Sequence, residues 1–165
     1  ESSGGHLTAL LATTSDTNEF QKHPVTRKAS SAIQAASPWC GPTDFLKLND
    51  VKASQDYSRR QSAPSRLIGA PIKEAPEKCR RANPITYVSK GDPPCFIVHG
   101  DRDFVVPLNQ SELLHAALKK AGVPSTLHVV KGGEHGFSKL TPANDEIVKK
   151  VMDFFDRQFK PEGGR

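Results

Sequence analysis

Leu7, Leu10 and Leu11 fall at i, i+3 and i+4, the spacing of one helix face, and predict a helix from Gly5 to about Thr13. Ser15 to Ser31 is polar and turn-like. Ala32–Ala36 reads as a short buried strand running into a turn at Pro38–Pro42. From Leu46 to about Lys90 the chain is polar, basic and proline-containing, without clean periodicity. That stretch reads as a cap-like excursion of short helices and loops, not as a separate domain.

The C-terminal half is plainer. Cys95–Val98 is a continuous apolar run between Pro93–Pro94 and Gly100, as expected of a parallel strand buried on both faces. Pro107 opens a helix to about Ala121, with Leu113, Leu114, Ala117 and Leu118 facing inward and Gly122 as its stop. Thr126–Val130 predicts a second buried strand, ended by Gly132–Gly133. Thr141 and Pro142 read as a helix N-cap and first position, followed by an apolar stripe of Ile147, Val151, Phe154, Phe155 and Phe159.

Strands alternating with helices imply an α/β fold with a mainly parallel sheet flanked by helices. Only about three strands are legible, and so few would leave a long apolar edge unpaired. The expectation is one partial domain over residues 1–165, the second part of a larger sheet.

Composition narrows the class. Apolar residues make up 36% of the 165, and the longest apolar runs fall far short of the roughly 20 residues a membrane span needs. The formal charge of +5 is scattered in short clusters without an aromatic ladder for base stacking, which argues for a solvated basic surface and no nucleic-acid partner. The three cysteines form no C-x-x-C pair, so zinc and dithiol sites have little support. Cys95 reads as a small buried hydrophobe, and one disulfide stays open. Compartment also stays open, a secreted or periplasmic location included.

Three loops carry candidate chemistry. Glu1-Ser2-Ser3-Gly4-Gly5 runs straight into the first helix, as a serine on a tight strand-to-helix elbow of the G-x-S-x-G kind would. Ser2 has Gly4 at plus two; Ser3 competes, with Gly5 at plus two, but puts Glu1 where glycine is expected. His99 to Pro107 follows the first clear strand, where α/β folds place functional loops. Within it Asp101 is placed to make a local Asx-turn and Asp103 to reach outward. Gly132-Gly133-Glu134-His135-Gly136-Phe137 follows the second strand and presents an imidazole between glycines. His6, His23, His99, His115 and His128 lack that setting and read as structural or exposed.

Serine, aspartate and histidine in that chain order, each on a loop following a predicted or implied strand, match the order in α/β-hydrolases. Ser2-Ser3-Gly4-Gly5-His6-Leu7, Trp39-Cys40-Gly41-Pro42-Thr43-Asp44, His99–Pro107 and Gly133–Phe137 resemble the α/β-hydrolase esterase/lipase family. The likeness is greatest to its carbohydrate-esterase-like branch of acetyl and feruloyl esterases. It runs from the elbow to the last helix and implies the C-terminal portion of that fold, with N-terminal strands absent.

By this resemblance Ser2 is the nucleophile, Asp103 the acid, His135 the base, and the Ser3 backbone N–H one oxyanion donor. The resemblance implies a serine ester hydrolase for small-molecule or carbohydrate esters, with no metal or organic cofactor. A peptidase of the prolyl-oligopeptidase type shares the triad order, although Gly41-Pro42-Thr43-Asp44 favours an esterase. A non-catalytic hydrolase-like binding protein is the reading from a different class. Oligomeric state is not legible.

Overall fold

A computed structural model describes residues 1–15, 17, 30–137 and 143–160. Its sheet has two parallel strands, β1 (Cys95–Gly100) and β2 (Ser125–Val130), in register from Cys95↔Ser125 to Gly100↔Val130. All six β1 residues are buried, as the uninterrupted apolar run dictates. On its other edge β1 is laddered by residues 36–40. Phe96 N–H donates to Ala36 O, Val98 N–H to Pro38 O, and Cys40 N–H back to Val98 O. The strand expected at Ala32–Ala36 thus starts only at its last residue. It survives as bridges at Ala36 and Trp39, because Pro38 between them has no N–H to give.

Two helical layers cover the faces of β1. Cys95 and Ile97 pack with Ala9 and Ala12 of α1 (Ser3–Thr13) and with Leu114 and Leu118 of α4 (Asn109–Lys120). Phe96 and Val98 point the other way, onto Ile147 and Phe154 of α5 (Ala143–Phe159). α4 starts two residues after Pro107, whose carbonyl accepts the Gln110 N–H. It stops where Gly122 takes φ +80 and Val123 N–H turns back to Leu118 O.

Three expectations fail in instructive ways. In α1 the leucine face is not the packed one: Leu7 is 62% and Leu11 46% exposed, while Gly5, His6, Ala9, Ala12 and Thr13 are buried. The helix runs so close to the chain at Trp39 that a Cβ on Gly5 would overlap the Trp39 carbonyl, and only small side chains fit that approach. β2, expected to be a buried strand, has only Val130 buried and Val129 42% exposed. It pairs with β1 alone among the described residues. The α5 stripe holds at Ile147 and Phe154, but Phe159 is exposed at its end, stacked on Phe155. The Thr141–Pro142 cap, most of the Ser15–Ser31 turn region and His23 lie outside the described residues.

Residues 45–87 form short helical pieces: 3-10 turns at Phe45–Lys47 and Pro84–Tyr87, α2 (Ala63–Ile68) and α3 (Pro76–Ala82). They surround their own small core of Phe45, Leu48, Tyr57, Ile72 and Cys79. The segment Thr43–Asp44 that leads into them is pinned from two sides. Gln110 Oε1 accepts the N–H groups of Thr43 and Asp44, and Asn83 bridges Phe45 N–H and the Asp44 carboxylate. Cys40, Cys79 and Cys95 are buried free thiols, so the disulfide left open by the sequence is not formed. No helix among the described residues is long and apolar enough to cross a membrane.

Candidate active site

The two strands of the sheet end side by side, and this brings two of the loops together. Gly100 and Gly133 are in such close contact that a Cβ on Gly100 would fall on the Gly133 carbonyl, with its carbon at 2.5 Å. Arg102 N–H donates to Gly133 O at 2.9 Å. Asp101, expected to make a local turn, instead reaches across to accept the Gly132 N–H at 2.6 Å. It braces the loop after β1 against the loop after β2.

Across that seam His135 Nδ1 and Asp103 Oδ2 lie 2.7 Å apart. A carboxylate only accepts, so Nδ1 carries the proton and Nε2 is left as the acceptor nitrogen of the ring. Gly136, at φ +73, turns the chain directly after His135, and Phe137 anchors the turn as a buried side chain edge-on to Trp39. The other oxygen of Asp103 accepts the N–H groups of Val105 and Val106 at 2.9 and 2.8 Å.

Burial pushes the Asp103 carboxyl up, but hydrogen bonds from His135, His99 and the Val106 N–H, with the His135 charge, outweigh it and hold it at about 2. The same bond raises His135 above the usual imidazole value, and the Cys40 thiol beside it adds to the rise against the opposing effect of burial.

Ser2 occupies the head of α1 with φ 52 and ψ −121, a backbone conformation that costs a non-glycine residue about 1–3 kcal/mol. Its N–H donates to Trp39 O and its C=O accepts the His6 N–H, both at 2.9 Å, so the strain is held from two sides. Ser3 has no such strain and is the first helical residue, its N–H one of the helix-start donors that have no acceptor within the helix. The glycine that permits the close turn is Gly5. Gly4, at plus two from Ser2, has nothing within 4 Å of its Cβ position.

Ser2 and Ser3 line a cavity of about 280 Å³ whose walls are mostly apolar, with Phe45, Leu48, Tyr57 and Val106 among them. His135 is not part of that lining, and no hydrogen bond joins Ser2 to His135 among the described residues. The two loops meet instead through the flanking residues: the Glu1 carboxylate lies 3.4 Å from the Cβ position of Gly136.

Cys40 and His99 lie in segments that carry the family resemblance, but nothing in the sequence assigned either a role at the site. Cys40 is fully buried with φ 38, and its Sγ lies within 4.8 Å of ligand atoms of both Asp103 and His135. Among the described residues these three side chains are the set with donor atoms for a metal ion, but both Asp103 oxygens are already occupied by N–H donors. His99, read as merely structural or exposed, is fully buried and stands 3.4 Å from Asp103 Oδ2. His6 is structural: its Nδ1 hydrogen-bonds Pro42 O and its ring stacks on Phe45.

Comparison with known proteins gives a consistent picture. The BD-FAE family model matches residues 1–118. Esterase LipQ of Mycobacterium tuberculosis is 28% identical over 156 residues, 93% of this chain but 35% of LipQ. The chain thus spans about a third of that relative's length. A truncated form of a carbohydrate esterase from gut microbiota is 31% identical, with a TM-score of 0.78 over 95% of this chain and 57% of that one. A bifunctional GH43-CE protein of Bacteroides eggerthii is 30% identical, with a TM-score of 0.81 over 96% of this chain and 23% of the other.

Proposed function

The chain belongs to the BD-FAE family and has the α/β-hydrolase fold over the part it spans, and on that premise we propose that it acts as a serine carboxylic-ester hydrolase. Ser2 is the nucleophile, His135 the general base, Asp103 the group that orients and charges the base, and the Ser3 N–H an oxyanion donor. The observation that carries this reading is the strained backbone of Ser2 at the head of a helix. It is supported by the neighbouring loop, where Asp103 fixes the His135 proton on Nδ1 and Gly136, the next residue, lies against Glu1.

The chemistry follows from those positions. His135 Nε2 takes the Ser2 hydroxyl proton as Oγ attacks the ester carbonyl, and the negative charge that develops on the carbonyl oxygen turns toward the Ser3 N–H. Collapse expels the alcohol, which leaves with the proton held by His135. A water molecule then repeats the sequence on the acyl-enzyme and returns Ser2. Asp103 stays ionised throughout and stabilises the imidazolium. The apolar cavity beside Ser2 suits a small acyl group or a carbohydrate-linked ester, in keeping with the carbohydrate-esterase relatives.

The test is covalent labelling. A fluorophosphonate reagent should add to Ser2, seen as a mass shift on the peptide that contains it. Ser2→Ala should abolish both the label and the burst of p-nitrophenol from p-nitrophenyl acetate. Label on Ser3 or Cys40, or a Ser2→Ala variant with its burst intact, would overturn the assignment.

A further inference from the structure

We propose that His99 is a positioning residue for the ester-hydrolysis site: it holds the Asp103 carboxylate in the orientation that His135 requires. The proposal rests on the reading of Asp103 and His135 given above.

His99 is the fifth residue of β1 and has no exposed surface. Its Nε2 lies 2.7 Å from Val106 O, which only accepts, so the Nε2 proton is fixed there. Its Nδ1 lies 2.6 Å from Ser111 Oγ on α4, whose hydroxyl proton then has Nδ1 as acceptor. Both nitrogens are therefore committed, and the ring cannot flip without losing two buried hydrogen bonds.

That rigid ring closes a circuit around the acid. Val106 N–H binds Asp103 Oδ1 at 2.8 Å, Val106 O binds His99 Nε2–H, and the same Nε2 stands 3.4 Å from Asp103 Oδ2. One buried histidine thus fixes the loop that grips the first oxygen and holds its N–H edge 3.4 Å from the second. The second oxygen is the one that receives His135. The other titratable groups around the carboxylate are His135 itself, the Cys40 thiol and Tyr57, whose hydroxyl feels the Asp103 charge.

That proximity of a polarised N–H also sets a direction. His99 draws charge from Oδ2. Without it, more negative charge faces His135 and its imidazolium is favoured, so the acid limb of kcat/KM moves to higher pH. Structural loosening alone lowers kcat without that shift.

The experiment compares His99→Leu, His99→Gln and Ser111→Ala with the unmutated chain. It measures kcat, KM, the pH profile of ester hydrolysis and the low-field proton resonance of the Asp103–His135 bond. His99→Leu should lose about 10- to 100-fold in kcat, as the misplacement of a catalytic group does, with KM unchanged, the acid limb raised and the resonance moved. His99→Gln keeps an N–H near the Nε2 position and should recover most of the loss. Ser111→Ala, a gentle change on α4, should move limb and resonance the same way by less.

A folded His99→Leu or Ser111→Ala variant whose acid limb and resonance stay in place would overturn the proposal, as would His99→Gln losing as much as Leu. If His99→Leu does not fold, the Gln and Ser111 variants decide. The resonance is read without turnover, so the positioning claim can fail while Ser2-dependent hydrolysis stands, and the reverse.

Discussion

Gly100→Ala is a one-methyl change at the seam between the acid loop and the histidine loop. The added Cβ would lie 2.5 Å from the Gly133 carbonyl carbon and 2.9 Å from its Cα. Carbon–carbon contacts need about 3.5 Å, so the two strand ends must part by roughly 1 Å. The obstructing atoms are backbone on both sides and cannot rotate away. Parting by that amount takes the His135–Asp103 separation from 2.7 Å to about 3.7 Å, outside hydrogen-bond range.

A misplacement of that size costs about 100-fold in turnover. Overpacking of this kind costs about 1–3 kcal/mol of stability, a fall in Tm of about 2–4 °C for each kcal/mol in a chain of this size. The assay is p-nitrophenyl acetate hydrolysis beside a thermal melt. Gly4→Ala is the reference, the same methyl in open space within a helix, and should stabilise by up to about 1 kcal/mol. If Gly100→Ala keeps its turnover and Tm within error of the parent, the argument that this contact aligns acid and base is wrong.

Three further outcomes follow from the same geometry. Ala9→Leu, on the packed face of α1, should cost about 1–3 kcal/mol, whereas Leu7→Ala on its exposed face should change stability by less than about 0.5 kcal/mol in a urea melt. His135 has its pKa raised, so hydrolysis, which needs the neutral ring, should have its acid limb above the ordinary imidazole value, and Asp103→Asn should lower that limb. The charged pair contributes stability in the opposite sense. The His135 contribution is full below the unfolded imidazole pKa and is lost as pH rises through the raised folded value. The Asp103 contribution is present above about 3.8 and is lost as pH falls toward about 2. Tm against pH for the parent and Asp103→Asn should therefore differ most from weakly acid to neutral pH and converge at both extremes.

Backbone chemistry is short-ranged, and where it rules, the sequence alone determines this protein. The apolar run Cys95–Val98, the proline before α4, the stop at Gly122 and the glycine-flanked His135 are each decided by a few adjacent residues. The order of Ser2, Asp103 and His135 on three loops was legible for the same reason. The tertiary structure decided what depends on distant neighbours. α1 buries Ala9 and Ala12 in place of its leucines because Trp39 lies against Gly5, and no helical periodicity encodes that approach. Asp101 became a brace and Asp103 the partner of His135, 32 residues further along the chain, only when the ends of β1 and β2 met. His99 looked like any strand histidine until Ser111 and Val106 closed on its two nitrogens. Cys40 meets His135 only across the sheet. Partner choice for a buried side chain is set by which surfaces pack together, and packing is a property of the whole chain, not of any local segment.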